Sequence, residues 1–346
     1  MKSPGMVLRE LLSANGGKVT FAQFMQAALY DPEHGYYTRY IKTVGRSGDF
    51  STSATIHPIL ARAIANWIVE YGGKTLGKGS WQIIEVGPGS GQMAYWVKKF
   101  LPLMVRLRVK FHLVESSPVL REKQKILLSR HRVAWHRDIQ SALRKCDGRA
   151  LIYSNEVVDA FPCVQLVKQD GDWQEIFLEQ AGDQIRERSG PPVSKFKKAN
   201  FSVFRHLAKA ANGQRCELHE SYREWLAEWV PLWKKGAMLT IDYGDSAGRL
   251  YERRPQGSLR AYFQHNVLEG IDLYQRMGRQ DLTADVNFTD LEYWGQQLSL
   301  TTEFFQTQAD FMLKRVRSAN SDAEKMLLHP DGAGQAFKVL CQSRGA

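Results

Sequence analysis

Two rhythms of hydrophobic positions alternate along the chain. Short, nearly continuous apolar runs recur at Gln82–Val86 (QIIEV), Lys110–Glu115 (KFHLVE), Arg149–Ser154 (RALIYS) and Ala237–Asp242 (AMLTID), with a more polar third element, Trp135–Ile139 (WHRDI), after the second. Runs of this length fit strands covered on both faces, as in a parallel sheet. Between them the period lengthens. Met93, Trp96, Val97 and Phe100 stand at i, i+3, i+4 and i+7, the stripe of an amphipathic helix. Phe21–Leu29 and Pro58–Glu70 repeat the pattern, the second with Leu60, Ile64, Trp67 and Ile68 on one face. Glu220–Lys235 predicts a further helix with Tyr222, Leu226, Trp229 and Trp233 in line, a kink at Pro231 and a stop at Gly236. Strand and helix in turn predict an α/β fold, a mostly parallel Rossmann-like sheet with helices on both faces. Cys163–Lys168 and Trp173–Leu178 predict a hairpin around Gln169-Asp170-Gly171-Asp172, and residues 301–306 and 335–341 an antiparallel pair closing the sheet.

These elements suggest a division: residues 1–78 as a helical and loop region covering the active site, and residues 79–346 as the sheet core, with a polar insertion at about 169–216. The loops Gly35-Tyr36-Tyr37 and Gly45–Phe50, dense in glycine, aromatics and hydroxyls, make poor core and good lids.

Composition narrows the class. With 346 residues, 43% hydrophobic and 24% charged, the chain is ordinary for a globular protein with a sizeable core. The four cysteines are scattered without a C-x-x-C pair, and the nine histidines show no ligand spacing, so no metal is expected. No run reaches the ~18 apolar residues of a membrane span. The net charge of +11 permits nucleic acid as a partner without requiring it, because the basic residues are spread along the chain. The expected location is the cytoplasm, or the mitochondrial matrix in a eukaryote, although no clear presequence is seen.

The chemistry starts after the first run. Gly87, Gly89 and Gly91 follow it at alternate positions, and Glu85 precedes them by two. A dinucleotide turn reads G-x-G-x-x-G; here Gln92 occupies the place of its third glycine. The G-x-G-x-G form is typical of turns that hold S-adenosylmethionine, which has no pyrophosphate to seat. Glu115 ends the second run, placed to accept hydrogen bonds from both ribose hydroxyls. Asp138 closes the third, where an adenine amino group would be met; Ser116 and Ile139 adjoin these acids. The fourth run leads into Asn155-Glu156-Val157-Val158-Asp159. Glu156 and Asp159, one turn apart at the carboxyl end of a strand, suit a cationic nucleophile; a helix cap is the plainer role for such acids.

The motifs ALYDPEHGYYTR, GRSGDFSTS, IIEVGPGSGQM, HLVESSPVLREKQ, NEVVDAFP, TIDYGD, RAYFQH and DLTADVNF run in order from about residue 20 to the C-terminus. Together they resemble the MidA-type methyltransferases, a family that includes a mitochondrial assembly factor of respiratory complex I. The resemblance implies a class I methyltransferase fold, S-adenosylmethionine as cofactor and, for the family's characterised eukaryotic branch, symmetric dimethylation of protein arginine. It carries Gly48, Asp49, Phe50, Thr52, Ser53, Gly87, Gly89, Gly91, Glu115, Asp138 and Asn155 over as cofactor-binding positions, with Asn155, Glu156 and Asp159 as the catalytic set. The chain departs from the family at Ala54, Thr55 and His57, and at Val157 and Val158, all on the side expected to meet the methyl acceptor. A nucleic-acid methyltransferase, or a non-catalytic assembly protein that kept the fold, are the alternatives.

Overall fold

The structure, a computed structural model, describes residues 3–41, 58–181, 184–191, 196, 200–264, 266–316, 324, 328–329 and 333–345. The chain forms two compact units. Unit one gathers Met1–Ile41, Val158–Glu224 and Asp245–Leu291; unit two gathers Lys42–Val157, Trp225–Gly244 and Glu292–Ala346. The boundary therefore does not fall at residue 78. Helix Ile59–Tyr71 belongs with the strands that follow it, because Ile64, Trp67 and Ile68, all fully buried, pack into their core. Burying side chains of this size is worth about 1.5–3 kcal/mol each.

The described strands of unit two form one sheet: β1 (Trp81–Val86), β2 (Val109–Val114), β3 (Val133–His136), β4 (Leu151–Asn155), β5 (Gly236–Asp245), β6 (Thr301–Thr307) and β7 (Phe337–Arg344). Their spatial order is 3-2-1-4-5-7-6. Strands β1 to β5 are parallel, and β7 lies antiparallel to both β5 and β6. Ile83, Leu151 and Leu239 face one core, with Met93, Ala94 and Val97 from helix Gln92–Phe100 and Phe311 from helix Gln308–Arg315. Ile84, Ile152 and Met238, at the alternate positions, are as deeply buried on the other face. Covered on both sides, these strands need the unbroken apolar runs that the sequence shows.

The expected elements recur with shifted ends. The helix from Glu220 stops at Trp229 and passes into a single 3₁₀ turn, Val230–Leu232. Pro231 has no N–H to continue the ladder and its ring crowds the carbonyl one turn back, so the helix ends six residues before Lys235. The third strand ends at His136, where Asp138 caps helix Ile139–Lys145.

Unit one is built on antiparallel sheets. Strands Val164–Gln169 and Asp172–Ala181 form the expected hairpin, with Asp170 and Gly171 at φ 51° and 80° in its tight turn. Strands Lys18–Thr20, Gln184–Gly190 and Arg215–Leu218 complete that sheet. A second sheet pairs Arg260–Phe263 with Asn266–Leu268 and Asp281–Thr283. Helix Phe21–Tyr30, entered through a Thr20–Gln23 capping box, buries Phe21, Phe24 and Met25.

Candidate functional site

In unit two the strand order reverses between β1 and β4: the chain runs outward through β2 and β3 on one side and through β5 on the other. In open α/β sheets the crevice at the carboxyl ends of such a pair is where ligands bind. Both ends carry unusual backbone.

After β1 the chain turns through Gly87 and Gly91, at φ 62° and 81°, conformations that favour glycine. The turn is also tight. A Cβ on Gly87 would stand 2.6 Å from Cγ2 of Val157, and one on Gly91 3.1 Å from Cγ of Gln124. Gly91 then occupies the N-cap position of helix Gln92–Phe100.

Gln124, which the sequence reading passed over, joins the turn to the acid. It is fully buried in helix Pro118–Leu127. Its Nε2 donates to the Gly89 carbonyl at 2.8 Å and to Oε2 of Glu115 at 3.0 Å, and its Oε1 accepts from Trp135 Nε1 at 3.1 Å. Glu115, also buried, accepts a further bond from the Ser117 N–H at 2.8 Å. Burial raises the Glu115 carboxyl above its ordinary value, and the bonds from Ser117 and Gln124 and the charge of Arg121 pull the other way. The Ser116 N–H bonds it as well, and the carboxylate still keeps acceptor capacity for a ribose hydroxyl. Its neighbour Ser116 is exposed.

The structure places Asp138, Ile139 and Glu85 as follows. Asp138 is exposed and caps helix Ile139–Lys145, accepting from Ser141 N–H at 2.7 Å, a bond that lowers its pKa; Ile139 is buried as that helix's first residue. Glu85 points into the interior rather than toward the turn. Its Oε2 accepts from the Tyr153 hydroxyl at 2.8 Å, and burial pushes its pKa up to about 8. Burial thus favours its neutral form. It is adjacent to the turn in sequence, but its side chain enters the packed interior of β1.

At the end of β4 the backbone is strained. Glu156 takes φ 55°, rare for a side chain other than glycine. It is held there: its N–H donates to the Ile241 carbonyl at 2.9 Å, and Val157 N–H donates to Oδ2 of the fully buried Asp242 at 3.1 Å. The Glu156 carboxylate accepts from Asn155 Nδ2 at 3.0 Å and from the Tyr243 hydroxyl at 3.2 Å. Oδ1 of Asn155 is buried with no hydrogen-bond partner among the described residues. A buried acceptor in that state is what a ligand donor would satisfy. A turn free of Cβ atoms, a carboxylate with spare lone pairs and this oxygen fit an adenosyl ligand carrying an amino-acid tail.

Asp159 lies in unit one, in the 3₁₀ turn Val158–Ala160, and is buried. No long helix starts there, so neither it nor Glu156 serves as the helix cap their sequence allowed. The Asp159 carbonyl accepts from Ala284 N–H at 2.9 Å, and the Ala160 carbonyl from the Tyr30 hydroxyl at 2.9 Å. Gly48, Asp49, Phe50, Thr52 and Ser53, with Ala54, Thr55 and His57, lie outside the described residues. No group of histidine, cysteine and carboxylate side chains able to hold a metal occurs among the described residues. No described helix is long and apolar enough to cross a membrane.

The chain is 28% identical over 308 residues to the Drosophila melanogaster protein arginine methyltransferase NDUFAF7 homolog, mitochondrial, covering 79% of this chain and 65% of that one. It is 24% identical over 309 residues to human protein arginine methyltransferase NDUFAF7, mitochondrial, covering 81% and 66%. The chain thus spans about two thirds of the length of these relatives. In fold it matches a superfamily member from Burkholderia thailandensis solved bound to S-adenosyl-homocysteine, with TM-score 0.83, 23% identity, and coverage of 99% of this chain and 92% of that one. The cytoplasmic location expected from the sequence is overturned here, since these relatives are mitochondrial proteins. The family model described as "Putative S-adenosyl-L-methionine-dependent methyltransferase" matches residues 59–306, more than half of the sequence. The chain belongs to that S-adenosylmethionine-dependent methyltransferase family.

Proposed function

We propose that this protein methylates arginine side chains of a protein substrate, using S-adenosylmethionine. The observation that carries the reading is the glycine turn after β1, tied through Gln124 to the buried Glu115. The curated relatives, named protein arginine methyltransferases, supply the acceptor. Gly87, Gly89 and Gly91 let the backbone approach the ligand, Glu115 takes the ribose hydroxyls, and Asn155 Oδ1 takes a donor. When bound, the cofactor supplies a methyl carbon made electrophilic by its sulfonium.

The protein's own task is to orient an arginine nitrogen and take its proton. A guanidinium keeps its charge at any ordinary pH and is a poor nucleophile. Glu156, fixed by Asn155 and Tyr243, has a carboxylate oriented before substrate arrives. We assign it to grip the guanidinium and accept the proton lost as the N–C bond forms. Asp159, buried in unit one, is assigned to the catalytic set as an acid suited to a cation. Acidity at these positions suits a cationic acceptor better than a nucleic-acid base. The test is mass spectrometry of methylarginine in lysate protein after incubation with labelled cofactor. Alanine at both Glu156 and Asp159 should abolish labelling while leaving cofactor affinity within a few-fold; retained labelling would refute the assignment.

A further inference from the structure

The strand Asp281–Thr283 falls within one of the sequence motifs, DLTADVNF, that the proposed mechanism leaves without a task. It pairs with Arg260–Phe263 in unit one, Tyr262 opposite Asp281 and Arg260 opposite Thr283. Alternation puts these four side chains on one face of the sheet, with Ala261 and Leu282 on the other. Asp281 is buried, and its Oδ1 accepts from the Tyr37 hydroxyl at 2.8 Å. Tyr37 stacks on Tyr30, ring centroids 5.7 Å apart and planes 23° from parallel. Both rings are half-buried, and the hydrogen bond ties the stacked pair to the acid. Asp159 adjoins the same face: after burial, Asp281 and Asp159 are the two charges that raise the Tyr30 phenol, and Asp159 also raises Tyr262.

Thr283 adds the observation that points to a ligand. It is only 4% exposed, yet its Oγ1 has no hydrogen-bond partner among the described residues. Leaving a buried hydroxyl without a partner costs stability that valine, of nearly the same shape, would not. Arg260 is held by Asp285 on a neighbouring turn. A metal does not account for the arrangement, since no metal-holding group occurs among the described residues.

We propose that this face of unit one is the specificity site for a guanidinium, with Asp281 and Thr283 as its acceptors and Tyr30 and Tyr37 as its ring wall. This rests on the reading of an arginine acceptor and adds which residues select it. Positions i and i+2 of a strand stand about 6.7 Å apart. A planar fork of five N–H donors can reach acceptors spread over such a span, and its face stacks on tyrosine; a compact ammonium does neither as well.

The experiment titrates acetyl-Gly-Arg-Gly-amide and its lysine counterpart into the full chain, followed by NMR shifts. The parent should bind the arginine peptide at least ~10-fold more tightly. Asp281→Asn should weaken arginine binding by ~10-fold or more and erase the preference, as expected on losing a hydrogen bond to a charged group. Thr283→Val should weaken it by about 5-fold while melting no lower than the parent, so a folded variant is in hand. Equal binding of the two peptides by the parent overturns the assignment, as does arginine binding within two-fold of the parent in Thr283→Val. Selective binding that the variants lose, in a protein that methylates nothing, would sink the methyltransferase reading and leave this site standing. Unchanged arginine methylation by Asp281→Asn would do the reverse.

Discussion

Replacing Gln124 by leucine tests how the glycine turn is held. The side chain is fully buried and makes three hydrogen bonds, to the Gly89 carbonyl, to Glu115 Oε2 and from Trp135 Nε1. Leucine fills nearly the same volume but strands all three partners. The bond to a carboxylate is worth about 1.5–3 kcal/mol and the two neutral ones about 1 kcal/mol each. Allowing for non-additivity within one network, the loss should be about 3 kcal/mol, read by urea denaturation with an unchanged slope. The ligand effect is separable. Without its donor, Glu115 is freer to rotate and the turn loses its brace, so S-adenosylhomocysteine should bind at least ~10-fold more weakly by calorimetry, about 1.4 kcal/mol. A folded variant within ~0.5 kcal/mol of the parent that binds the ligand equally well would refute the claim that Gln124 couples the turn to the acid.

Gly87→Ala should cost about 2–4 kcal/mol, from the left-handed backbone and the 2.6 Å approach to Val157, and chemical denaturation of the pair with Val157→Ala should recover only the steric part. Glu85 should make stability fall with rising pH. Its folded pKa, about 8, lies above its ordinary value, so the contribution is complete below about pH 4.5 and is lost as pH climbs toward 8. Glu85→Gln should flatten that slope in melts from pH 5 to 9; an unchanged slope would show the carboxyl to be ionised in the fold. His112, whose pKa is lowered to about 4 by burial first and then by His136, has the opposite sense: its contribution is present above about pH 6.5 and is lost as pH falls toward 4. His112→Gln should reduce acid sensitivity in that window.

What could be read from the chain was whatever local periodicity dictates. The apolar run before Gly87 and the i, i+3, i+4, i+7 stripe after Gly91 state strand, turn and helix without help from the rest of the molecule. Gln124 was not legible, because a glutamine on an amphipathic helix looks like part of its wet face; only packing shows it inside. Glu85 was misplaced for a related reason: counting from the glycines locates the residue but not the side of the sheet its carboxyl enters. Asp281 lies 244 residues from Tyr37, and only the packing of the N-terminal helical segment against the strand Asp281–Thr283 brings them together. The interleaving of three chain segments in each unit is likewise a product of long-range contacts that no composition shift announces.

The most direct measurement is a crystal structure of this protein soaked with S-adenosylhomocysteine. The account predicts density at the carboxyl ends of β1 and β4, with ribose hydroxyls on Glu115 and the Gly87–Gly91 backbone alongside. Nucleoside density away from Glu115, or a turn closed over by side chains with no ligand bound, would contradict it.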